Sequence, residues 1–330
     1  MTKKIPRVIL IDALNMYFRA YIVDPSLSTN GDPIGGVKGF LKILQKLCRE
    51  LKPDRVIVCW DGPGGSRRRK SLQGDYKSGR KPIRLNRSIR NMTEREELKN
   101  KVWQQTRLFE YLNEMPIVQI LIPDIEADDI IAVAKKQKAL DGWQKIIISN
   151  DKDFIQLCDD ETIVYRPTQK EVLNVPAVVR KYGIHPKNFT LARALAGDKS
   201  DNLPGVGGVG LKTVAKRLPF LSESRDYTTD EVINFCETAE SDLKVFSNVV
   251  QKKELFQQNY KLMQLYSPSI SPQNRSIVRE SIECGGCFIN KTAVRKMMVE
   301  DGFGEGNWAD LFQTLNRIAF DMSSNINGPE

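Results

Sequence analysis

Three carboxylates, Glu126, Asp128 and Asp129, fall within four residues, and the apolar run Ile130-Ile131-Ala132-Val133-Ala134 follows them. Acids favour the first turn of a helix because its dipole and free N–H groups attract negative charge, worth about 0.3–1 kcal/mol each. That accounts for one or two acids, but less well for three beside a helix body that reads as buried. More acids close other apolar runs: Asp12, Asp61, and the pair Asp151 and Asp153. Two carboxylates about 5 Å apart repel by roughly 3 kcal/mol at an effective dielectric of about 20. Seven in one crevice require cations. His185 is the only histidine, which argues against histidine-based general base chemistry and most zinc hydrolase designs. Oxygen-only ligands suit magnesium, with manganese as a substitute. Two such ions about 3.5–4 Å apart clamp the attacking and leaving oxygens of an in-line phosphoryl displacement.

The elements that must position these acids are short apolar strands. Arg7–Asp12, Arg55–Gly62, Ile117–Ile122 and Lys145–Ser149 each run into acids. Helical segments separate them, so the pattern predicts an α/β fold with a mainly parallel sheet. In such sheets the ligand crevice lies beyond the carboxyl ends of the strands. Pro123 and Asp124 close the third strand, and Asp124 is placed to cap the Glu126 helix. Gly35 and Gly36 open a helix carrying Phe40, Leu41, Leu44 and Leu47 at helical spacing, and glycines at a helix start let a phosphate approach its free N–H groups. Glu94 to Met115 reads as an amphipathic helix with Leu98, Val102, Phe109 and Leu112 on one face.

Between the second strand and the Glu126 helix, Ser66 to Arg90 holds ten basic residues against one acid, Asp75. It has too few apolar residues for a core, and repulsion should leave it mobile until an anion arrives. Beside the acidic crevice, that anion would be a phosphate backbone. Tyr76 is placed to stack on a base while Lys77 meets a phosphate. Further on, Asn188 to Ala196 reads as a short helix. Four glycines within Gly205 to Gly210 then lead into a helix carrying Lys212. This is a tight hairpin whose open N–H groups suit a DNA phosphate. Thr228 and Glu231 form a capping box. The segment to about Asp321 is mixed, and Ser323 to Glu330 reads as frayed.

The chain has 330 residues and a net charge of +9, which favours a polyanionic partner. No apolar run approaches the roughly 18–20 residues that span a bilayer, and the first residues carry no signal-peptide core. A cytoplasmic location, in a bacterium or an infected host, is expected. Cys48, Cys59, Cys158 and Cys236 read as buried thiols. Cys284 and Cys287 form a lone C-x-x-C, short of the four ligands of a structural zinc.

The set Asp12, Trp60-Asp61-Gly62, Glu126-Ala127-Asp128-Asp129, Asp151-Lys152-Asp153 and Gly197-Asp198-Lys199-Ser200-Asp201-Asn202 resembles the 5′-nuclease superfamily. Within it, the chain is most similar to the bacterial and phage 5′→3′ exonucleases or flap endonucleases, also found as the N-terminal domain of bacterial DNA polymerase I. The resemblance spans about Arg7 to Ala215 and continues loosely around Asn259-Tyr260-Lys261-Leu262. It implies a PIN-like nuclease domain over 1–185, with a basic helical arch at 66–90. A helix–three-turn–helix element and helical region would occupy 186–330. Asp12, Asp61, Glu126, Asp128 and Asp129 would serve a first metal, and Asp151, Asp153, Asp198 and Asp201 a second. Lys77 and Arg80 would stabilise the pentavalent phosphate. Arg19, Gly36, Tyr76, Lys81, Gly205, Gly207, Gly210 and Lys212 would contact DNA. The hairpin would often use K+, and Gly208 stands where many relatives carry proline.

The implied activity is magnesium-dependent hydrolysis near 5′ ends or at 5′ flaps, leaving 5′-phosphates, with RNase H activity on RNA primers. A monomeric stand-alone nuclease of the kind phages encode is expected, with single-strand binding protein or a polymerase as partners. Two other readings share parts of the pattern. A PIN-type ribonuclease on single-stranded RNA keeps the acids but usually lacks the hairpin and arch. A DNA-junction binder with a dead site is opposed by the intact acids.

Overall fold

The computed structural model describes residues 5–326 except 79–82, 87, 90–91, 241–242, 269 and 287, with side chains to residue 321. Arg80, Lys81 and Cys287 therefore lie outside the described residues. Six strands form one sheet: β1 (Arg7–Asp12), β2 (Arg55–Trp60), β3 (Val118–Leu121), β4 (Gln144–Ile148), β5 (Thr162–Arg166) and β6 (Glu171–Leu173). Their order is β3-β2-β1-β4-β5-β6. All neighbours are parallel except β5 and β6. The order reverses direction between β1 and β4, the switch point where a crevice opens beyond the strand ends. Asp12 ends β1 and Asp151 follows β4, so both stand at that point.

Helices cover both faces. In chain order come α1 (Ala13–Val23), α2 (Gly35–Leu51), α3 (Arg67–Leu72), α4 (Glu94–Asn113), α5 (Ala127–Ala134), α6 (Val175–Tyr182) and α7 (Phe189–Ala196). Then come α8 (Leu211–Arg217), α9 (Thr229–Thr238), α10 (Lys244–Gln251), α11 (Lys253–Met263), α12 (Pro272–Cys284), α13 (Lys291–Glu300) and α14 (Ala309–Ile326). β1 and β2 are buried on both faces, so alternate residues feed two cores. Leu10 and Ile57 face α5, α7 and α12. Ile9 and Val58 face α1, α2, α4 and α14. Helix α14 continues to Ile326, into the stretch read as frayed. The Thr228 capping box forms, and the four isolated cysteines are buried thiols. Among the described residues, no helix is long and apolar enough to cross a membrane.

Two expectations about surfaces need correction. Leu98 and Val102 are about half exposed, whereas α4 buries Glu97, Gln104, Leu108, Tyr111 and Leu112. The buried stripe includes polar groups because they satisfy neighbouring backbone. Gln104 Oε1 accepts from Val37 N (3.1 Å), and Glu97 accepts from Leu85 N. Gly36 is the second case. It is buried at the start of α2, and a Cβ there would lie 2.7 Å from the Tyr17 ring and 2.8 Å from Gln104 Oε1. Glycine stands at 36 so that three helices can approach. With the Val37 N–H taken by Gln104, this helix start is not open to a phosphate.

Gly36→Ala is therefore expected to cost about 1–3 kcal/mol through overpacking. Gly207→Ala, whose Cβ would meet nothing within 4 Å, should stay within about 0.5 kcal/mol of the parent. Denaturant unfolding of both variants checks this; equal stabilities would contradict the packing role.

Candidate active site

The acids converge beyond the carboxyl ends of β1, β2, β3 and β4. Asp12 Oδ1 accepts from Asn15 N (3.1 Å), which caps α1, and Oδ2 accepts from Ser149 Oγ (3.1 Å). Asp61 Oδ1 accepts from Ala127 N (2.7 Å) and so closes the start of α5. The cap of that helix thus comes from the end of β2. Asp124 instead pairs with Arg67 (3.0 Å) on the surface. Asp151 Oδ1 accepts from Asp153 N (2.9 Å) and fixes a 3₁₀ turn over Asp153–Leu157.

The tightest group is Asp153, Asp198 and Asp201, which offer one carboxylate oxygen each within 4.8 Å of one another. Asp198 and Asp201 sit in the loop between α7 and α8, closed by a bridge between Asp198 and Leu203. Asp151 lies between this triad and the other acids: Asp201 and Asp198 raise its pKa, and it raises those of Asp128 and Asp12. Of the first-metal set, Asp12 repels Asp128 and is repelled by Asp61, while Glu126 repels Asp61, Asp128 and Asp129 and, like Asp129, is paired with arginine.

The basic segment supplies the counter-charges for Glu126 and Asp129. Arg69 pairs with Glu126 and, at 3.1 Å, with Asp129, and its Nε donates to Leu262 O (3.0 Å). Lys77 Nζ reaches Glu126 Oε1 (2.6 Å), and Ser66 Oγ donates to the same oxygen (2.7 Å). Tyr76 is only 4% exposed and packs with Leu203, Leu262 and Met263. The expectation of a strap that waits for an external anion is thus corrected. The anions are the chain's own carboxylates, and Tyr76 is closed to base stacking in this state. Arg193 plays the matching part beside the triad, pairing with Asp153 (3.0 Å) and Asp198.

Burial, then repulsion from Asp61 and Asp151, pushes Asp12 up to about 7. Burial, then Asp151, pushes Asp153 up to about 7 as well. Burial also raises Asp128, Asp151 and Asp129. Asp61 is exposed as a residue, but protein crowded around its carboxylate strips hydration and raises it. For Glu126 and Asp198 burial is the largest influence and acts upward, yet Arg69 with Lys77 and Ser66, and Arg193 with the Ser200 hydrogen bonds, together outweigh it and leave both lowered.

The remaining sequence candidates lie on α1, in the loop after α7 and at the start of α8. Arg19, on α1, has a buried Nη1 with no hydrogen-bond partner among the described residues. In the loop after α7, Gly207 and Gly210 are exposed and have open space at the Cβ position, and Lys212 is exposed. Gly205 is packed instead, since a Cβ would lie 2.2 Å from Ala196 O. Gly208 has φ +77°, which proline, fixed near −65°, cannot adopt. Arg69, Arg193 and the helix-capping role of Asp61 were not singled out from sequence. An arginine inside Leu191-Ala192-Arg193-Ala194-Leu195 is a usable signal, because a charge on an apolar helix needs a buried partner. Within the run of basic residues nothing marks Arg69 from its neighbours.

The raised carboxylates set a pH dependence for metal-free protein. Asp12 and Asp153 hold protons in the folded state that they release when unfolded above a pKa of 3.8. Stability should therefore fall as pH rises from about 4 to about 7. Added magnesium should raise the melting temperature more at about pH 7.5 than at about pH 5, because the deprotonated acids bind it. Melting curves in chelator and in magnesium check this; a pH-independent, magnesium-insensitive melt would contradict it.

Residues 7–183 match the family model described as the 5′-3′ exonuclease, N-terminal resolvase-like domain. The chain is 30% identical over 259 residues to a 5′-3′ exonuclease of Aquifex aeolicus, covering 78% of this chain and 81% of that protein. It is 35% identical over 214 residues to the thermostable DNA polymerase I of Thermus aquaticus, covering 64% of this chain but 24% of the polymerase. Among solved structures, the T5 D15 protein crystallised with metal ions superposes with a TM-score of 0.61 at 19% identity, over 89% of this chain and 98% of that one. Human GEN1 in complex with Holliday junction DNA gives 0.54 at 14% identity, over 99% of this chain and 77% of that one. The six-stranded α/β architecture is that of these nucleases, and the chain belongs to the 5′-3′ exonuclease family.

Proposed function

We infer that the protein is a divalent-metal-dependent 5′ nuclease that hydrolyses phosphodiester bonds of DNA near 5′ ends and at 5′ flaps. The observation that carries this reading is the convergence of carboxylates from four strand ends onto one crevice, with Asp153, Asp198 and Asp201 already at ligand spacing. Their donor set is oxygen only, which fits magnesium or manganese. The second site would be Asp151, Asp153, Asp198 and Asp201, and the first Asp12, Asp61, Glu126, Asp128 and Asp129. Bound there, two ions would activate a water and neutralise charge on the transferring phosphoryl group.

The chain's own residues do the rest. Asp12 and Asp151 are pre-oriented by Ser149, whose hydroxyl serves both: it donates to Asp12 and accepts from Asp151 N (3.1 Å). Lys77, once released from Glu126, would meet the scissile phosphate, with Arg80 as its proposed neighbour. Arg19 would bind a backbone phosphate through the Nη1 that lacks a partner. Gly207, Gly210 and Lys212, and less directly Gly205, would hold the duplex backbone through open N–H groups and one lysine, with K+ as the proposed ion there. Release of Arg69 from Glu126 and Asp129 would complete the first site. Primer removal beside a polymerase or single-strand binding protein is the task this chemistry suits.

Asp128→Ala should lower magnesium-dependent cleavage of a 5′-labelled flap by about 10³-fold or more, several kcal/mol of transition-state stabilisation. Binding of the flap in gel shift should persist. Normal cleavage by this variant would refute the metal assignment. Preferential cleavage of single-stranded RNA would favour a ribonuclease instead.

A further inference from the structure

Helix α11 lies in the stretch where the sequence says least, yet side-chain amides tie it and its exit to both turns that carry the Asp153, Asp198 and Asp201 triad. Asn259 is fully buried. Its Nδ2 donates to Ala194 O (3.0 Å) and Pro204 O (2.8 Å). These carbonyls stand on either side of the loop that presents Asp198 and Asp201. The Asn259 Oδ1 is buried with no hydrogen-bond partner among the described residues. An orphaned buried acceptor is unfavourable, so the amide is retained for its two donors. On the neighbouring turn, Gln156 Nε2 donates to Asp153 O (2.7 Å) and Met263 O (3.0 Å). Its Oε1 accepts from Leu265 N (2.7 Å).

The two turns are some forty residues apart in sequence, so their relative placement, and with it the 4.8 Å grouping of the carboxylates, must be held by tertiary contacts. Arg193 bridges Asp153 and Asp198 directly. However, it competes with any cation that those carboxylates bind. The amides of Asn259 and Gln156 touch backbone only. Neither uses a carboxylate, so neither competes with an ion for those oxygens.

We propose that Asn259, with Gln156 as its counterpart, is a positioning residue that sets the spacing of the triad for its cation. The proposal rests on the metal reading above. Outer-shell partners of this kind change metal affinity by about 10–100-fold when removed.

The test is calorimetric titration of full-length, metal-free protein with Mn2+, without DNA and without turnover. Asp201→Asn identifies which binding event belongs to the triad. Asn259→Ser and Gln156→Met should each weaken that event by about 10–100-fold and leave the other event unchanged. Phe256→Leu, a buried packing change on the same helix, should lower the melting temperature and leave both events unchanged. Wild-type Mn2+ affinities in Asn259→Ser would overturn the proposal. So would an equal loss in Phe256→Leu at the same melting temperature. A wild-type titration with no event sensitive to Asp201→Asn would overturn the metal reading itself, and this inference with it.

Discussion

Mutual repulsion among crowded carboxylates is the constraint that the rest of this structure answers. Asp12, Asp61, Glu126, Asp128, Asp129, Asp151, Asp153, Asp198 and Asp201 cannot all stay charged at close range without cations. The fold answers in two ways. Burial keeps protons on Asp12 and Asp153 up to about pH 7. Arg69, Lys77 and Arg193 supply positive charge from the chain itself. On the proposed reading both responses are provisional, because a divalent ion would displace each from the same carboxylates.

Positioning follows from this. The parallel sheet brings four strand ends to one edge of the molecule, and the reversal between β1 and β4 opens the gap that the acids line. The loop after α7 completes the set and does not belong to the sheet. α11 and its exit hold it and the turn after β4: Asn259 bonds the loop backbone, Gln156 ties the turn to Met263 and Leu265, and Leu262 O anchors Arg69. Tyr76, Leu203, Leu262 and Met263 form a small apolar cluster that seats the strap on the same surface. The basic segment and the second-half acids are thus coupled through one short stretch of α11.

Much of this was legible in the sequence. The strands follow from apolar runs, and β1 begins and ends as expected, because a buried parallel strand has few alternatives. The acids stand out because strand ends are where such sheets place function. The fate of the basic segment was not legible. Charge composition implies mobility, but cannot show that Glu126 and Asp129 are near enough to serve as its anions. Leu98 and Val102 misled in the opposite direction. Helical spacing marks a stripe, yet the buried stripe of α4 is the one where Gln104 and Glu97 satisfy backbone groups of neighbouring segments. Gly36 looked like a phosphate approach and is a packing contact, a distinction that needs the positions of Tyr17 and Gln104. Asn259 gave no signal of its role, since its partners are carbonyls, which every residue has.

The central claim is that the crevice is a divalent-ion centre whose internal counter-ions give way. Anomalous diffraction from crystals soaked in Mn2+ tests it most directly. The account predicts two anomalous peaks, one among Asp153, Asp198 and Asp201 and one among Asp12, Asp128 and Glu126, with Arg69 withdrawn from Glu126. A map with no peak in the crevice and Arg69 still paired with Glu126 and Asp129 would contradict it.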